Sequence, residues 1–206
     1  CMAEKLDLVR MHKSLYAPSD REIHIVEVPV FSFLMINGTG DPNTAPMYQE
    51  ALTALYGLAY TIKFAKKKQT GQDFKVMPLE GLWWVKDLAD LDFKNKDNWF
   101  WTMMIVQPSF ITQADFETAQ KIVLKKGGSE LAASARFEVY DEGTSAQVLY
   151  LGAYADELPT VEKMHAFARQ QGHELHKKHH EIYMSDPRRT APEKLKTIIR
   201  QPVIKP

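Results

Sequence analysis

The run from Glu22 to Ile36, EIHIVEVPVFSFLMI, is dense in β-branched and aromatic residues and is broken once, at Pro29. It predicts a first strand, with the proline marking an edge or a bulge because it withholds a ladder donor. NGTGDPN reads as a turn, and Thr44 is placed to cap a helix that has Pro46 in its first turn and runs to about Lys66. Leu52, Leu55, Leu58, Ala59 and Ile62 recur there at helical spacing, while Tyr56, Tyr60 and Phe64 form a second row at steps of four. Strands are expected over Phe74 to Val85 and Trp99 to Val106, joined by a polar connection of Lys and Asp residues. Both are apolar on both faces, so the side away from the helix must be covered or must line a cavity. Thr112 then caps a connector helix ended by Gly127 and Gly128.

The second half repeats the order. ARFEVYDEGTSAQVLYLGAY predicts a hairpin around Asp-Glu-Gly-Thr, and a helix starts at Leu158 with the apolar face Val161, Met164, Phe167 and Ala168. HEIYM and LKTIIRQPV supply the last two strands around the turn SDPRRTAPEK. The pattern implies one α+β domain of two pseudo-repeated β-α-β-β units with antiparallel sheets, helices on one side, and a ligand groove between the halves on the other. The expected divisions are a partly mobile polar lead-in over 1–21, a first half over 22–110, the connector over 111–128 and a second half over 129–206.

Composition narrows the function classes. In 206 residues, 26 basic side chains balance 26 acidic ones, which leaves no global field to hold a polyanion, so nucleic acid is not expected. No apolar stretch is long enough for a membrane span, and no signal-like segment is evident. Cys1 is the only cysteine and precedes Met2, the expected native start, so a disulfide within the chain and a cysteine zinc site are excluded. A cytoplasmic monomer or homodimer is expected.

Side chains two apart on a strand share a face about 7 Å apart, so Glu181 and Tyr183 point the same way. A desolvated carboxylate there either pairs with a cationic ligand or serves as a general base; spacing alone equally allows a solvated strand residue. In PLEGLWW, Glu80 and Trp84 share one face and Trp83 takes the other; Trp99 and Trp101 share a face of the next strand and extend an aromatic wall. Tyr150 and Tyr154 resemble the aromatic rim of a cleft, with Tyr56 and Tyr60 approaching from the helix. His173, His176, His179 and His180 lack a metal-ligand pattern and suit a solvated basic helix end. No phosphate-loop or serine or cysteine nucleophile signature is present, and neither a cofactor nor a metal is expected.

The ending HEIYMSDPRRTAPEKLKTIIRQPV, with PLEGLWW, LGAYADELP and the two β-α-β-β units, resembles the GyrI-like small-molecule-binding domains over nearly the whole chain after residue 20. That family includes drug-sensing domains of transcription regulators, a gyrase inhibitor, and stand-alone hydrolases that open the cyclopropane of DNA-alkylating natural products. The resemblance implies a groove in which Glu181 matches the family's buried pocket glutamate and Tyr183 its neighbour, with walls from PLEGLWW and WFW. The lack of an attached DNA-binding domain and the second acid, Glu80, favour a hydrolase with Glu181 as general base and Tyr183 donating to the oxygen that gains charge. A non-catalytic binder sequestering lipophilic cationic aromatic drugs is the alternative.

Overall fold

A computed structural model describes residues 5–86 and 95–206. Much of the polar connection expected after Val85 falls at 87–94, outside the described residues. Strands β1 (His24–Val28), β2 (Phe31–Thr39), β3 (Glu80–Trp84), β4 (Phe100–Gln107), β5 (Arg136–Tyr140), β6 (Gly143–Leu151), β8 (His179–Tyr183) and β9 (Lys196–Ile204) form one antiparallel sheet. Their order is β1-β6-β9-β8-β3-β4-β2-β5, and the short β7 (Glu174–Leu175) adds to β9. The two expected sheets are thus one, joined where β3 of the first half pairs with β8 of the second.

Pro29 does more than mark an edge. The run expected as a single strand is two, and they lie at opposite ends of the sheet: β1 pairs with β6, and β2 pairs with β4 and β5. In the other half β5 makes the reciprocal move, so each half has its outer edge completed by a strand of the other.

Because directly paired residues point to the same side, the register defines two surfaces. One row across the first surface is Ile36, Met103, Gly81, Glu181, Ile199 and Val148. On the other surface a row runs Thr102, Leu82, His180, Arg200 and Gln147. Helix α3 (Pro46–Thr70) covers the first-half end of the first surface, where Tyr48 meets the Trp101 ring edge-on at 5.4 Å. Helix α5 (Leu158–Gln170) covers the second-half end, packing Val161, Met164 and Ala168 on Ala146, Val148 and Ile199. Close approach on this side requires glycine: a Cβ on Gly38 would lie 2.0 Å from the Trp101 indole paired opposite it.

Local signals account for the helix ends unevenly. At α4 (Gln113–Lys125), Thr112 makes a reciprocal capping box with Asp115, which also holds Lys66 of α3. At α3 the cap is Ala45 rather than Thr44, with no side-chain hydrogen bond, and the helix continues to Thr70 before Gly71 turns it off in the left-handed region. Of Phe74 to Val85 only Glu80–Trp84 pairs as strand. From Lys5 onward the lead-in forms two helical turns, α1 (Leu8–Met11) and α2 (Lys13–Tyr16), which bury Leu8, Leu15 and Tyr16, and Tyr16 reaches Glu80 on the second surface. No described helix is long and apolar enough to cross a membrane.

Candidate functional site

Glu181 projects from β8 onto the helix-bearing surface, beside the gap between the N-terminal ends of α3 and α5. The groove residues therefore gather on the side of the helices, not opposite them as expected, because the register places Glu181 in the same row as Ile36 and Val148 under those helices. The residue is 7% exposed, and its carboxylate is well supplied with donors. The Tyr183 hydroxyl donates to Oε2 at 2.8 Å, and His179 Nε2 lies 3.1 Å from Oε1, where a ring nitrogen facing a carboxylate acts as donor. Trp83 Nε1 in turn donates to the Tyr183 oxygen at 2.9 Å, which directs the single phenolic proton to Glu181. Burial would raise the pKa of Glu181, but His179 and then the Tyr183 hydroxyl outweigh it and hold the group ionised.

Glu157, the residue before α5, is the unexpected member. It is 5% exposed, its Oε2 has no partner among the described residues, and its carboxyl feels that of Glu181. Burial and then the Glu181 charge push its pKa far up against the weaker pull of Lys96. Of the two acids, Glu157 is thus favoured in its neutral form and Glu181 in its ionised form. Tyr154 closes one side, its ring edge-on to Tyr183 at 5.9 Å, and Tyr48 closes the other, 6.3 Å from Trp83. Burial and the Glu181 charge raise both phenols, Tyr154 to about 12, so each remains a neutral donor.

The expected site residues separate into groups. Glu181, Tyr183 and Trp83 meet; Trp101 lies beneath Tyr48, fully buried, and Trp99 packs on Trp83 at 6.2 Å, so these two support the wall from behind. Tyr56 is half-buried on α3, near Asp186 and Arg188 of the DPRRT turn. Tyr150 is two strands from Glu181 on the same surface, with its hydroxyl committed to the Ala153 carbonyl at 2.8 Å. Tyr60 is 46% exposed and stacks on Phe64, away from the acid pair. Trp84 is on the second surface, stacked on Phe100 with the Lys178 ammonium 3.4 Å above its ring.

Glu80 needs correction as a groove acid. Its pairing with Ile182 instead of Glu181 sends it through the sheet, where it is fully buried and bonded to Tyr16 and His180. The histidine run is also not a solvated helix end: His179 and His180 lie on β8, on opposite surfaces, and His180 is fully buried. Glu157, Tyr48 and His179 escaped the sequence reading, since only the LGAYADELP segment before α5 was noted and nothing local shows that its glutamate reaches β8. Among the described residues, no group of three or more His, Cys, Asp or Glu side chains is arranged to hold a metal ion.

Gly81, directly opposite Glu181, leaves no room for a side chain. A Cβ there would lie 2.9 Å from Trp83 Nε1, 3.2 Å from the Tyr183 hydroxyl and 2.5 Å from Met103 Cε. Gly81→Ala is therefore expected to displace the Trp83–Tyr183–Glu181 relay and weaken ligand affinity by tenfold or more, with about 1–3 kcal/mol lost from overpacking. Ligand titration beside denaturant unfolding checks both numbers.

Comparison with known proteins converges on the same architecture. The model of the GyrI-like small molecule binding domain matches residues 21–204. The chain belongs to this family. An uncharacterised conserved protein from Listeria innocua is 38% identical, with a TM-score of 0.89 over 97% of this chain and 100% of its own. A hydrolase encoded by lin2189 of Listeria innocua is also 38% identical, with a TM-score of 0.88 over 98% of this chain and 100% of its own. The C-terminal domain of EcmrR, 14% identical with a TM-score of 0.53 over 90% of this chain and 98% of its own, shares the fold alone. No curated protein matches. In this GyrI-like domain the matched region begins after α1 and α2.

Proposed function

We propose that this GyrI-like domain hydrolyses a strained cyclopropane in a flat, electrophilic aromatic compound, with Glu181 as general base. The observation that carries the reading is an ionised, nearly buried carboxylate set among aromatic rings, with a neutral acid against it. A carboxylate has about four acceptor positions, and Tyr183 and His179 use two, which leaves room for a water. Tyr48, Tyr154 and Trp83 supply faces and edges for a flat ligand. Glu181 takes a proton from water as the oxygen bonds to a ring carbon, the ring C–C bond breaks, and its electron pair moves to a conjugated carbonyl oxygen. Tyr183 fixes the base and does not assist the leaving pair, because its proton is directed at Glu181. The likeness to the Listeria innocua hydrolase supports hydrolytic chemistry.

One observation favours simple binding: Glu181 is held well below the ordinary carboxylate range, which suits charge pairing with a lipophilic aromatic cation better than proton abstraction. Incubating the protein with a tenfold excess of a cyclopropanoid compound separates the readings. Complete conversion to the ring-opened alcohol is expected; protection of one equivalent only points to sequestration.

A further inference from the structure

We infer that the second surface of the sheet carries a ligand site of its own, a groove that binds an organic carboxylate with an apolar body. It lies across the sheet from Glu181 and does not depend on the chemistry proposed there. The groove has a volume of about 390 Å³, within the range of small-molecule sites. Leu82 of β3, Thr102 of β4 and Met35 of β2 form its floor, and its walls are cationic. Arg136 comes from β5, and Lys177 and Lys178 come from the connection between β7 and β8. Glu138, the one acid among the lining residues, already accepts from Arg136 Nε at 2.5 Å.

The backbone is bent to bring the two lysines together. Neighbours on an extended chain point to opposite sides, but Lys177 has φ +55°, the left-handed region that residues with a side chain rarely occupy, and both lysines line the same groove. The donors that result are not used up. Lys178 makes no ion pair or hydrogen bond among the described residues, and its ammonium rests 3.4 Å above the Trp84 ring. Besides Glu138, the Arg136 guanidinium donates to Asn37 Oδ1 at 3.0 Å and meets only the weak sulfur acceptor of Met35 at 3.4 Å, which leaves further N–H groups unclaimed. Tyr140 also lines the groove, and its hydroxyl is buried with no partner among the described residues. Burial and then the Arg136 charge lower the Lys178 pKa, a cost that an anion lying between the two cations relieves. A carboxylate fits the Arg136 fork and the Lys178 ammonium, while Leu82 and Met35 offer apolar contact that inorganic phosphate cannot use. The ionised Glu181 repels the same ligand from the first surface.

Calorimetric titration of the full chain with 2-naphthoate and, separately, with inorganic phosphate tests the assignment. 2-Naphthoate is expected to bind saturably at one site, roughly tenfold or more tighter than phosphate. Lys178 has no hydrogen bond to lose, so Lys178→Gln keeps the fold, and it should weaken 2-naphthoate by about tenfold, as loss of a charge-assisted hydrogen bond does. Arg136→Gln should weaken it by about tenfold or more, since the fork engages both carboxylate oxygens. Absence of saturable 2-naphthoate binding overturns the inference, and so does an affinity that Lys178→Gln leaves unchanged. Phosphate binding as tightly as 2-naphthoate also overturns it, because the apolar floor then selects nothing.

Discussion

Glu181→Gln is expected to slow cyclopropane opening by roughly 10²–10⁴-fold, the usual contribution of a positioned general base. The substitution keeps the volume and one acceptor oxygen, so Tyr183 and His179 retain a partner and the groove keeps its walls. What disappears is the charge that draws the proton from water. Affinity for a neutral aromatic substrate should therefore change only a few-fold while kcat collapses, a pattern that marks loss of a transition-state interaction. Steady-state kinetics beside equilibrium binding provides the check, and an unaltered kcat removes Glu181 from the mechanism. The sequestering alternative makes the opposite forecast: affinity for a lipophilic aromatic cation falls tenfold or more, and neutral compounds bind as before.

The largest expected effect on stability lies on the second surface. His180 Nδ1 is 2.7 Å from Glu142 and Nε2 is 2.8 Å from Glu80, so both ring nitrogens carry hydrogen and the ring is a cation. Glu142 also receives Arg200 Nη1 at 3.2 Å, while Arg200 reaches the Leu15 carbonyl and Tyr16 reaches Glu80. His180→Ala leaves Glu80 without its cation in a site closed to water, which is expected to cost about 3–5 kcal/mol in denaturant unfolding.

The same cluster sets a pH profile. Burial pulls the His180 pKa down, yet Glu142 and then Glu80 raise it to about 9, so its stabilisation is complete below the ordinary value of 6.5 and fades as pH rises through about 9. Glu142 is driven up by burial but brought to about 2 by His180 and Arg200, so its contribution is present above 4.5 and is lost as pH falls through about 2. Stability from this network should be flat between about 4.5 and 6.5, and the alkaline decline should vanish in His180→Ala, as unfolding midpoints from pH 6 to 10 would reveal.

Local chemistry was legible in the sequence where the causes are local. The apolar period of α3, the Thr112 cap and the shared face of Glu181 and Tyr183 follow from spacing of a few residues. Long-range pairing was not. Nothing near Pro29 shows that the strands on either side of it lie at opposite ends of the sheet, and nothing near Glu80 shows that it opposes Ile182 instead of Glu181. Nothing local marks Glu157, the residue before α5, because its neighbour Glu181 lies on the distant strand β8. The helical turns over 8–16 were hidden by their polar exteriors: only one surface of each is buried.

The exchange of β1 and β5 between halves has a mechanical consequence for recognition. Each outer strand is sewn into the far half by backbone hydrogen bonds, and β3 and β8 are sewn to each other between them. Spreading the halves would tear three ladders at once, so the sheet beneath the acid pair is a stiff floor whose span does not adjust to its guest. Tolerance for ligands of different size must come from the rotamers of Tyr48 and Tyr154 and from the chain around them, and size selectivity should respond to those two side chains before any change in the sheet.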